Sequence, residues 1–319
     1  MNTLMEIIEY NKEGGMKIEE MINKIFLETK NGFEYVKQIP DKSIDMILCD
    51  LPYGTTACKW DTIIPFEPLW EQYKRIIKDN GAIVLTASQP FTSALVMSNP
   101  DMFKFTYVWK KERPTNPLLC KKRPPKYLED VCIFYKSQPI FNPTYVKRKE
   151  ENKRNNAPRN YSGEYVGGDK GYADLNQSGN NDLIYQSDLL EIPMERGLHP
   201  TQKPVALFEY LIKTYTNEGD LVLDNCIGSG TTAIACKRLN RNFIGMEIYQ
   251  NYIDISYKRL SEVKQGEGLI PQEPKTIVEP IILETTTSEI IKKGRGRPKG
   301  SKNKAKIIEP DLFTINKDK

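Results

Sequence analysis

"DLVLDNCIGSGTTAIACKRLNRNFIGMEI", residues 220–248, has the pattern of a strand, a glycine loop, a helix and a second strand. Apolar runs predict the strands at Leu221–Leu223 and Phe243–Met246, and the helix between them begins at Thr231. Strands joined by a crossover helix run parallel, so this unit belongs in a parallel sheet. Other apolar runs alternate with helical patterns in the same way. We therefore predict an α/β fold whose parallel sheet is covered by helices on both faces.

The glycine loop predicts a ligand site. Gly228 and Gly230 tolerate positive φ and let the backbone approach a ligand closely. Asp224 ends the first strand and Glu247 ends the second, where a carboxylate can accept both hydroxyl hydrogens of a ribose. The loop lacks the third glycine of a dinucleotide site and the Gly-Lys-Ser/Thr of a phosphate loop, which favours a nucleoside such as S-adenosylmethionine. The alternative is a plain strand–helix turn.

A second stretch, "ILCDLPYGTTACKWD" at residues 47–61, changes character abruptly. A strand predicted to be buried ends in Asp50, which is followed by a Leu-Pro pair, Tyr53 and Gly54. This stretch is either a simple strand-ending turn or a motif that presents a carboxylate and an aromatic ring at the end of the strand.

Four motifs together resemble the β class of DNA amino-methyltransferases, of the phage and bacterial type. They are, in chain order, "DLPY" at 50–53, "HPTQKP" at 199–204, "DNCIGSGTT" at 224–232 and "FIGMEI" at 243–248. The resemblance covers residues 31–262. It implies a Rossmann-like S-adenosylmethionine-dependent methyltransferase sheet with a circularly permuted motif order and a target-recognition insertion. It also implies S-adenosylmethionine as cofactor and double-stranded DNA as partner.

The resemblance assigns a role to each residue of the "DLPY" motif. The side chain of Asp50 and the backbone carbonyl of Leu51 accept the two hydrogens of an exocyclic amino group, so that its nitrogen can attack a sulfonium methyl. Pro52 restricts Leu51 to extended geometry, and Tyr53 stacks on a base removed from the duplex. Leu51 stands where the family prefers proline. A leading aspartate is typical of adenine-N6 members, whereas cytosine-N4 members more often begin with serine.

The resemblance also implies a set of cofactor-binding residues, which are Asn31, His199, Lys203, Asp224, Cys226, Gly228, Gly230, Thr231, Thr232 and Glu247. Asn31 stands where many relatives have aspartate. His199, the only histidine, and Lys203 are interpreted as positioning residues, with a role in helix entry as the alternative. No cluster of metal-ligating residues is visible, so no metal is predicted.

Basic residues are concentrated in two places, which predicts a polyanionic partner. Residues 292–306 hold eight basic residues and no acid, and Arg295 and Arg297 in "RGRP" resemble the core of an AT-hook, which binds a narrow minor groove. A nonspecific basic tail is the alternative. The second cluster lies at 110–126. From it we predict phosphate contacts by Arg113, Lys121, Lys122 and Arg123 and a base contact by Asn116.

The predicted organisation has six segments. They are a helical extension at 1–30, a catalytic half at 31–135, a target-recognition region at 136–198, a cofactor-binding half at 199–262, a linker at 263–291 and the AT-hook-like tail at 292–306. Within the catalytic half, "FEPLWEQYKRIIKDNG" predicts a helix that ends at Asn80-Gly81. Six cysteines without CxxC spacing, no long apolar run and no visible secretory signal predict a reduced, cytoplasmic protein without a membrane segment.

The leading hypothesis is a DNA methyltransferase that acts on adenine N6. Cytosine-N4 methylation and a non-catalytic DNA-binding protein on a methyltransferase scaffold are the alternatives. The AT-hook-like tail argues against RNA or protein amide methylation. The recognition sequence, the oligomeric state and the presence of a partner restriction endonuclease stay open.

Overall fold

The structure is a computed structural model that describes residues 16–28, 33–56, 58, 61–115, 120–147, 183–195 and 202–268 of the 319. The described strands are β1 (Lys24–Leu27), β2 (Ile44–Cys49), β3 (Ile77–Ala87), β4 (Phe103–Lys110), β5 (Leu128–Phe134), β6 (Tyr145–Lys147), β7 (Leu183–Tyr185), β8 (Leu189–Glu191), β9 (Leu221–Asp224) and β10 (Asn242–Glu247). The described α-helices are α1 (Ile18–Met21), α2 (Phe66–Ile76), α3 (Phe91–Ser98), α4 (Val205–Tyr215), α5 (Thr231–Arg238) and α6 (Gln250–Ser261), and a 3₁₀ turn covers Val36–Gln38.

Eight of these strands form one sheet in the order β1-β10-β9-β2-β3-β5-β4-β8, and β6 pairs with β7 in a separate ribbon. Helices cover both faces, as predicted. Along β2, Met46 and Leu48 pack on the face that carries α4, α5 and α6. Ile47 and Cys49 pack on the opposite face, which carries α2 and α3. This alternation buries β2 at the centre of the domain, which explains its almost continuous apolar sequence.

The predicted parallel sheet is mixed at one side. The strands β1, β10, β9, β2 and β3 run parallel, but β5 runs antiparallel to both β3 and β4. No crossover helix lies among the described residues between β4 and β5. The loop at 111–127 therefore brings the chain back into the sheet at the end where β4 leaves it. Two neighbouring strands that are connected in this way run antiparallel.

Two predicted segment boundaries also need correction. The helical extension at 1–30 is wrong for Lys24–Leu27, which form edge strand β1 and pair in parallel with β10 through buried Ile25 and Phe26. The linker predicted at 263–291 is wrong for its first residues. Val263 packs against the core, and the backbone N–H of Gly266 donates to the carbonyl of Lys237 at 3.3 Å.

Helix α2 ends earlier than its sequence predicted. It stops at Ile76, and β3 begins at the next residue, so Asn80 and Gly81 lie within a strand. A Cβ on Gly81 would lie 2.8 Å from the backbone oxygen of Asp45 on β2. Glycine is therefore required here by the close approach of a neighbouring strand, not by a helix end.

The central strands position the site. β2 and β9 are direct neighbours, with Ile47 opposite Leu223. From β2 the chain continues to β3 on one side, whereas from β9 it continues to β10 on the other. The order of strands thus reverses between β2 and β9, and ligands of open α/β sheets bind at the carboxyl ends of the strands at such a point.

Candidate active site

A cavity of about 460 Å³ lies at the carboxyl ends of β2, β9 and β10. The "DLPY" motif contributes Asp50 and Tyr53 to its wall, and the glycine loop contributes Asp224 and Gly228. This volume is within the range of small-molecule sites. The two motifs that the sequence separates by about 170 residues therefore share one pocket.

The carboxylate of Asp50 is held by three donors. The ammonium of Lys203 donates to Oδ2 at 2.6 Å, and the hydroxyl of Tyr53 donates to Oδ1 at 2.8 Å. The hydroxyl of Thr86, on β3, donates to the same Oδ1. A carboxylate has about four lone-pair positions, so the carboxylate retains capacity for one further donor.

Lys203 connects the two motifs. Its side chain is only 6% exposed and binds Asp50, while its backbone oxygen accepts a hydrogen bond from the hydroxyl of Thr231 at 3.3 Å. Burial lowers the pKa of Lys203, but the carboxylates of Asp50 and Glu129 outweigh burial and raise this pKa above its ordinary value. The ammonium is therefore charged at neutral pH. The sequence analysis assigned Lys203 to the cofactor-binding residues, whereas in the structure its ammonium binds the carboxylate of Asp50.

Tyr53 and Leu51 are fixed by packing. The ring of Tyr53 stacks on Phe91 with a centroid separation of 5.3 Å and an interplanar angle of 26°. Leu51 is 3% exposed and belongs to the core cluster on the α2 side of the sheet. Leu51 stands where the family prefers proline. Its buried side chain anchors the backbone at this position, which a proline ring would otherwise restrict.

The glycine loop is supported by α6. The hydroxyl of Ser256 donates to the carbonyl of Gly228 at 3.0 Å, and the guanidinium of Arg259 donates to the carbonyl of Ser229 at 2.6 Å. Both glycines have positive φ, +55° at Gly228 and +84° at Gly230. These contacts hold the glycine loop, which leads into α5, in place at the wall of the cavity.

The profile of one protein family, described as DNA methylase, matches residues 44–258. That span contains both motifs of the cavity, the neighbouring strands β2 and β9, and Lys203 between them. The chain belongs to the DNA methylase family. It is a DNA methyltransferase of the N6 and N4 type, with DNA as substrate and S-adenosylmethionine as cofactor.

Curated relatives and solved structures resemble this methylase over most of its length. The type II methyltransferase M.HpaI of Haemophilus parainfluenzae is 26% identical over 79% of this chain and 80% of its own. The type II methyltransferase M2.LlaDCHI of Lactococcus lactis subsp. cremoris is 28% identical over 81% of this chain and 98% of its own. The structure of PvuII DNA methyltransferase (cytosine-N4-specific) is 15% identical, with a TM-score of 0.52 over 74% of this chain and 85% of that one, and shows the shared fold.

The residues of the methylase's cavity fit S-adenosylmethionine. No atom lies within 4 Å of a Cβ built on Gly228, so open space borders the loop. Glu247 on β10 accepts hydrogen bonds from the backbone N–H groups of Gly228, Ile248 and Tyr249 at 2.9–3.0 Å. These bonds fix its carboxylate on the cavity wall at the place expected for a ribose.

Sequence reasoning missed Glu28, which lies beside Glu247. It follows β1, lines the cavity, and its backbone N–H donates to the carbonyl of Glu247 at 2.8 Å. Its carboxylate accepts hydrogen bonds from the N–H groups of Glu34 and Tyr35 at 3.2 and 3.1 Å. The available signal was an acid after a run of three apolar residues, but residue 28 fell within the segment assigned to a helical extension.

Asp61 is a second residue that sequence reasoning missed. Its carboxylate accepts hydrogen bonds from three consecutive backbone N–H groups, those of Gly54, Thr55 and Thr56, at 2.8, 2.8 and 2.6 Å. Burial raises the pKa of Asp61, but a hydrogen bond from the side chain of Thr56, together with these backbone hydrogen bonds, outweighs burial, and the net pKa is lowered. The ionised carboxylate fixes the loop that directly follows Tyr53.

Asp224 is almost fully buried, at 2% exposure. It accepts hydrogen bonds from the N–H of Cys226 at 3.0 Å and from the hydroxyl of Thr232. Burial raises its pKa to about 7, although both hydrogen bonds oppose that shift. The sequence placed Asp224, Cys226 and Thr232 among the cofactor residues; Asp224 and Cys226 line the cavity, and Thr232 acts through Asp224.

The pKa of Asp224 predicts a pH effect on stability. An aspartate that titrates near 3.8 when unfolded and near 7 when folded retains a proton in the folded chain over that interval. The free energy of unfolding therefore falls as pH rises from about 4 to 7. In Asp224→Asn this fall should be smaller by an amount on the order of 3 kcal/mol. Urea unfolding of the cofactor-free chain at pH 5 and pH 8 measures it.

The exposed Asp101→Asn variant is the control and should follow wild type at both pH values. A pH dependence identical in Asp224→Asn and wild type would contradict the buried, partly protonated state of Asp224.

The two glycines should respond differently to alanine. A Cβ on Gly230 would lie 2.7 Å from Cβ and Oγ of Ser256, whereas one on Gly228 would meet no atom within 4 Å. Both variants carry the strain of positive φ, about 1–2 kcal/mol, but Gly230→Ala adds overpacking of about 1–3 kcal/mol. Urea unfolding should show Gly230→Ala as clearly the less stable. Equal losses would contradict the close packing of α6 on the loop.

The predicted DNA-contacting loop lies at the edge of the sheet that carries the cavity. Because β4 runs in the same direction as β3, the segment at 111–127 leaves the sheet at the carboxyl ends of the parallel strands. The side chains of Arg113, Lys121, Lys122 and Arg123 are exposed there. Five predicted site residues lie outside the described residues, namely Asn31, Asn116, His199, Arg295 and Arg297.

No group of three or more potential metal ligands occurs among the residues that the structure describes. Nor does any helix in the described ranges combine the length and hydrophobicity needed to cross a membrane.

Proposed function

We propose that this DNA methyltransferase transfers its methyl group to the N6 amino group of adenine. The observation that carries the proposal is the position of Asp50, the leading residue of its motif, in one cavity with the glycine loop. A leading aspartate is typical of the adenine-specific members that the chain resembles. When bound, S-adenosylmethionine supplies an electrophilic methyl group.

The residues of the motif prepare the amino group. Its nitrogen lone pair is delocalised into the purine ring, so its hydrogens must be drawn out of the ring plane. Oδ2 of Asp50, which the ammonium of Lys203 holds in place, accepts one hydrogen with its remaining lone pair. The backbone carbonyl of Leu51 accepts the other. The carboxylate of Asp50 then accepts the proton that the methylated nitrogen releases. Positioning of the reacting groups supplies most of the rate enhancement.

Tyr53 binds the extruded base, with Phe91 supporting one face of its ring. Tyr53→Phe retains the ring and removes only a hydroxyl donor from Asp50, so turnover should stay within about fivefold of wild type. Tyr53→Ala should raise the KM for DNA by roughly 5- to 100-fold, because stacking contributes about 1–3 kcal/mol per base. Steady-state kinetics of both variants measure this. Equal losses in the two variants would contradict stacking as the role of the ring.

DNA contacts are proposed for two regions. The exposed basic residues of the loop at 111–127 leave the sheet at the end where the cavity lies and are suited to phosphates. Residues 136–198 are proposed to recognise the target sequence. The antiparallel pairing of Val146 with Ile184 supports this assignment, because it brings both ends of an insertion together. Residues 148–182 lie outside the described residues.

Methylation of DNA from a methylation-free host tests the proposal. The full chain is incubated with this DNA and S-adenosylmethionine, and the DNA is digested to nucleosides for mass spectrometry. We expect N6-methyladenine. N4-methylcytosine would overturn the assignment of the base, and an unmodified digest would overturn the proposed activity.

A further inference from the structure

Asp50 ends a row of four buried or partly buried side chains of alternating charge. Lys111 binds Oε1 of Glu129, the other oxygen of Glu129 lies 3.6 Å from the ammonium of Lys203, and Lys203 binds Asp50. Their side chains are 2%, 14%, 6% and 21% exposed in that order. Three separate segments of the chain contribute them, from the β4–β5 hairpin, the start of α4 and the end of β2.

A row of buried ions is costly unless each charge is compensated. Each member of this row has an opposite charge beside it, and Lys203 has two carboxylates within ion-pair distance. Lys111 and Glu129 belong to no motif of the sequence, and Glu129 does not line the cavity. Asp50 is the one member of the row assigned contact with the substrate.

We propose that Glu129 is a positioning residue for methyl transfer, supported by Lys111, and that it acts through Lys203 on Asp50. This inference rests on the proposed function. Glu129 pairs with the ammonium of Lys203, and the ammonium in turn fixes the direction of the Asp50 carboxylate. Without Glu129, Lys203 would be held by a single carboxylate and Asp50 could rotate away from the amino group.

Glu129 also sets the charge around Lys203. The groups that face this ammonium are the carboxylates of Asp50 and Glu129 and the ring of Tyr53, whose centroid is 5.4 Å away. Lys111 is close enough to interact with Lys203 electrostatically, and Lys126 with Lys111. Removal of the Glu129 charge leaves these like charges uncompensated, so deprotonation of Lys203 becomes easier.

The test compares Glu129→Gln with wild type in methyl transfer at several pH values. We expect kcat to fall roughly 10- to 100-fold, as for a misplaced reacting group. We also expect the alkaline decline of kcat to begin at a lower pH in Glu129→Gln than in wild type. Affinity for S-adenosylmethionine in calorimetry should be unchanged. Glu129→Asp retains the charge and should restore part of kcat and the wild-type pH profile. Glu267→Gln, which removes an exposed partner of Lys264, is the matched control and should behave as wild type.

A double-mutant cycle tests whether Glu129 acts through Lys203. In a Lys203→Met background, Glu129→Gln should cause little further loss of kcat, because the two side chains form one unit. If Glu129→Gln alone does not fold, the charge-balanced Glu129→Gln/Lys111→Met variant serves in its place with the same expected kcat loss.

Two results would overturn the inference while leaving the proposed function intact. One is a wild-type kcat and pH profile in folded Glu129→Gln, and the other is full additivity with Lys203→Met. A wild-type chain that transfers no methyl group would overturn the proposed function and this inference together.

Discussion

Asp50→Ala should lower kcat for methyl transfer by about 10³-fold while leaving affinity for S-adenosylmethionine within about threefold of wild type. The magnitude follows that of removing one hydrogen-bonding group placed at a reacting centre. The loss is expected because Asp50 is the acceptor proposed for an amino hydrogen, whereas the glycine loop and Glu247 do not depend on its carboxylate. Single-turnover methyl transfer and calorimetry measure the two quantities.

The exposed Asp101→Ala variant is the control for Asp50→Ala and should retain full activity. Near-normal turnover in Asp50→Ala would contradict the assignment of Asp50 as acceptor. A combined loss of turnover and cofactor affinity would instead show that Asp50 maintains the cavity rather than the chemistry.

Lys203→Met should destabilise the chain by about 3–5 kcal/mol, because it removes a buried cation and leaves the partly buried carboxylates of Asp50 and Glu129 without their partner. The pKa of Lys203 is raised from 10.5, so its contribution is fully present below that value and is lost only as pH rises through the higher folded pKa. The destabilisation should therefore be undiminished at neutral pH. Urea unfolding measures it.

Lys110→Met is the matched control for Lys203→Met. Lys110 pairs with Glu191 at 2.5 Å, but both side chains are at least half exposed, and such pairs contribute about 0–1 kcal/mol. Equal stability of the two variants would contradict a buried, paired Lys203. The two residues differ in their surroundings, not in their chemistry, which makes the comparison specific.

Local features of the fold could be predicted from the sequence. The strand that begins at Leu221, the glycine loop and the start of the helix at Thr231 were predicted almost to the residue, because hydrophobic periodicity and glycines act within a few positions. The direction of β5 could not be predicted, because it depends on whether the chain re-enters the sheet at the end where β4 leaves it or at the opposite end. Asn80-Gly81 was misread for a similar reason, since the contact that requires Gly81 comes from β2.

The residues of the candidate site could be predicted where they belong to a sequence motif. Asp50 and Gly228 were identified from their motifs and line the same cavity. The bond between Lys203 and Asp50 spans 153 positions of sequence, and no local pattern indicates it. Asp61 and Glu129 were missed because an acid that accepts backbone N–H groups or balances a buried lysine has the same sequence signature as any surface acid.

A structure of the full chain with S-adenosylmethionine tests the central claim most directly. A substrate nitrogen must lie about 3 Å from a carboxylate oxygen of Asp50 and about 3–3.5 Å from the methyl carbon. The account therefore predicts that the methyl carbon lies within about 6 Å of that carboxylate, with the ribose at Glu247. A cofactor bound with its methyl group directed away from Asp50, or bound outside this cavity, would contradict the account.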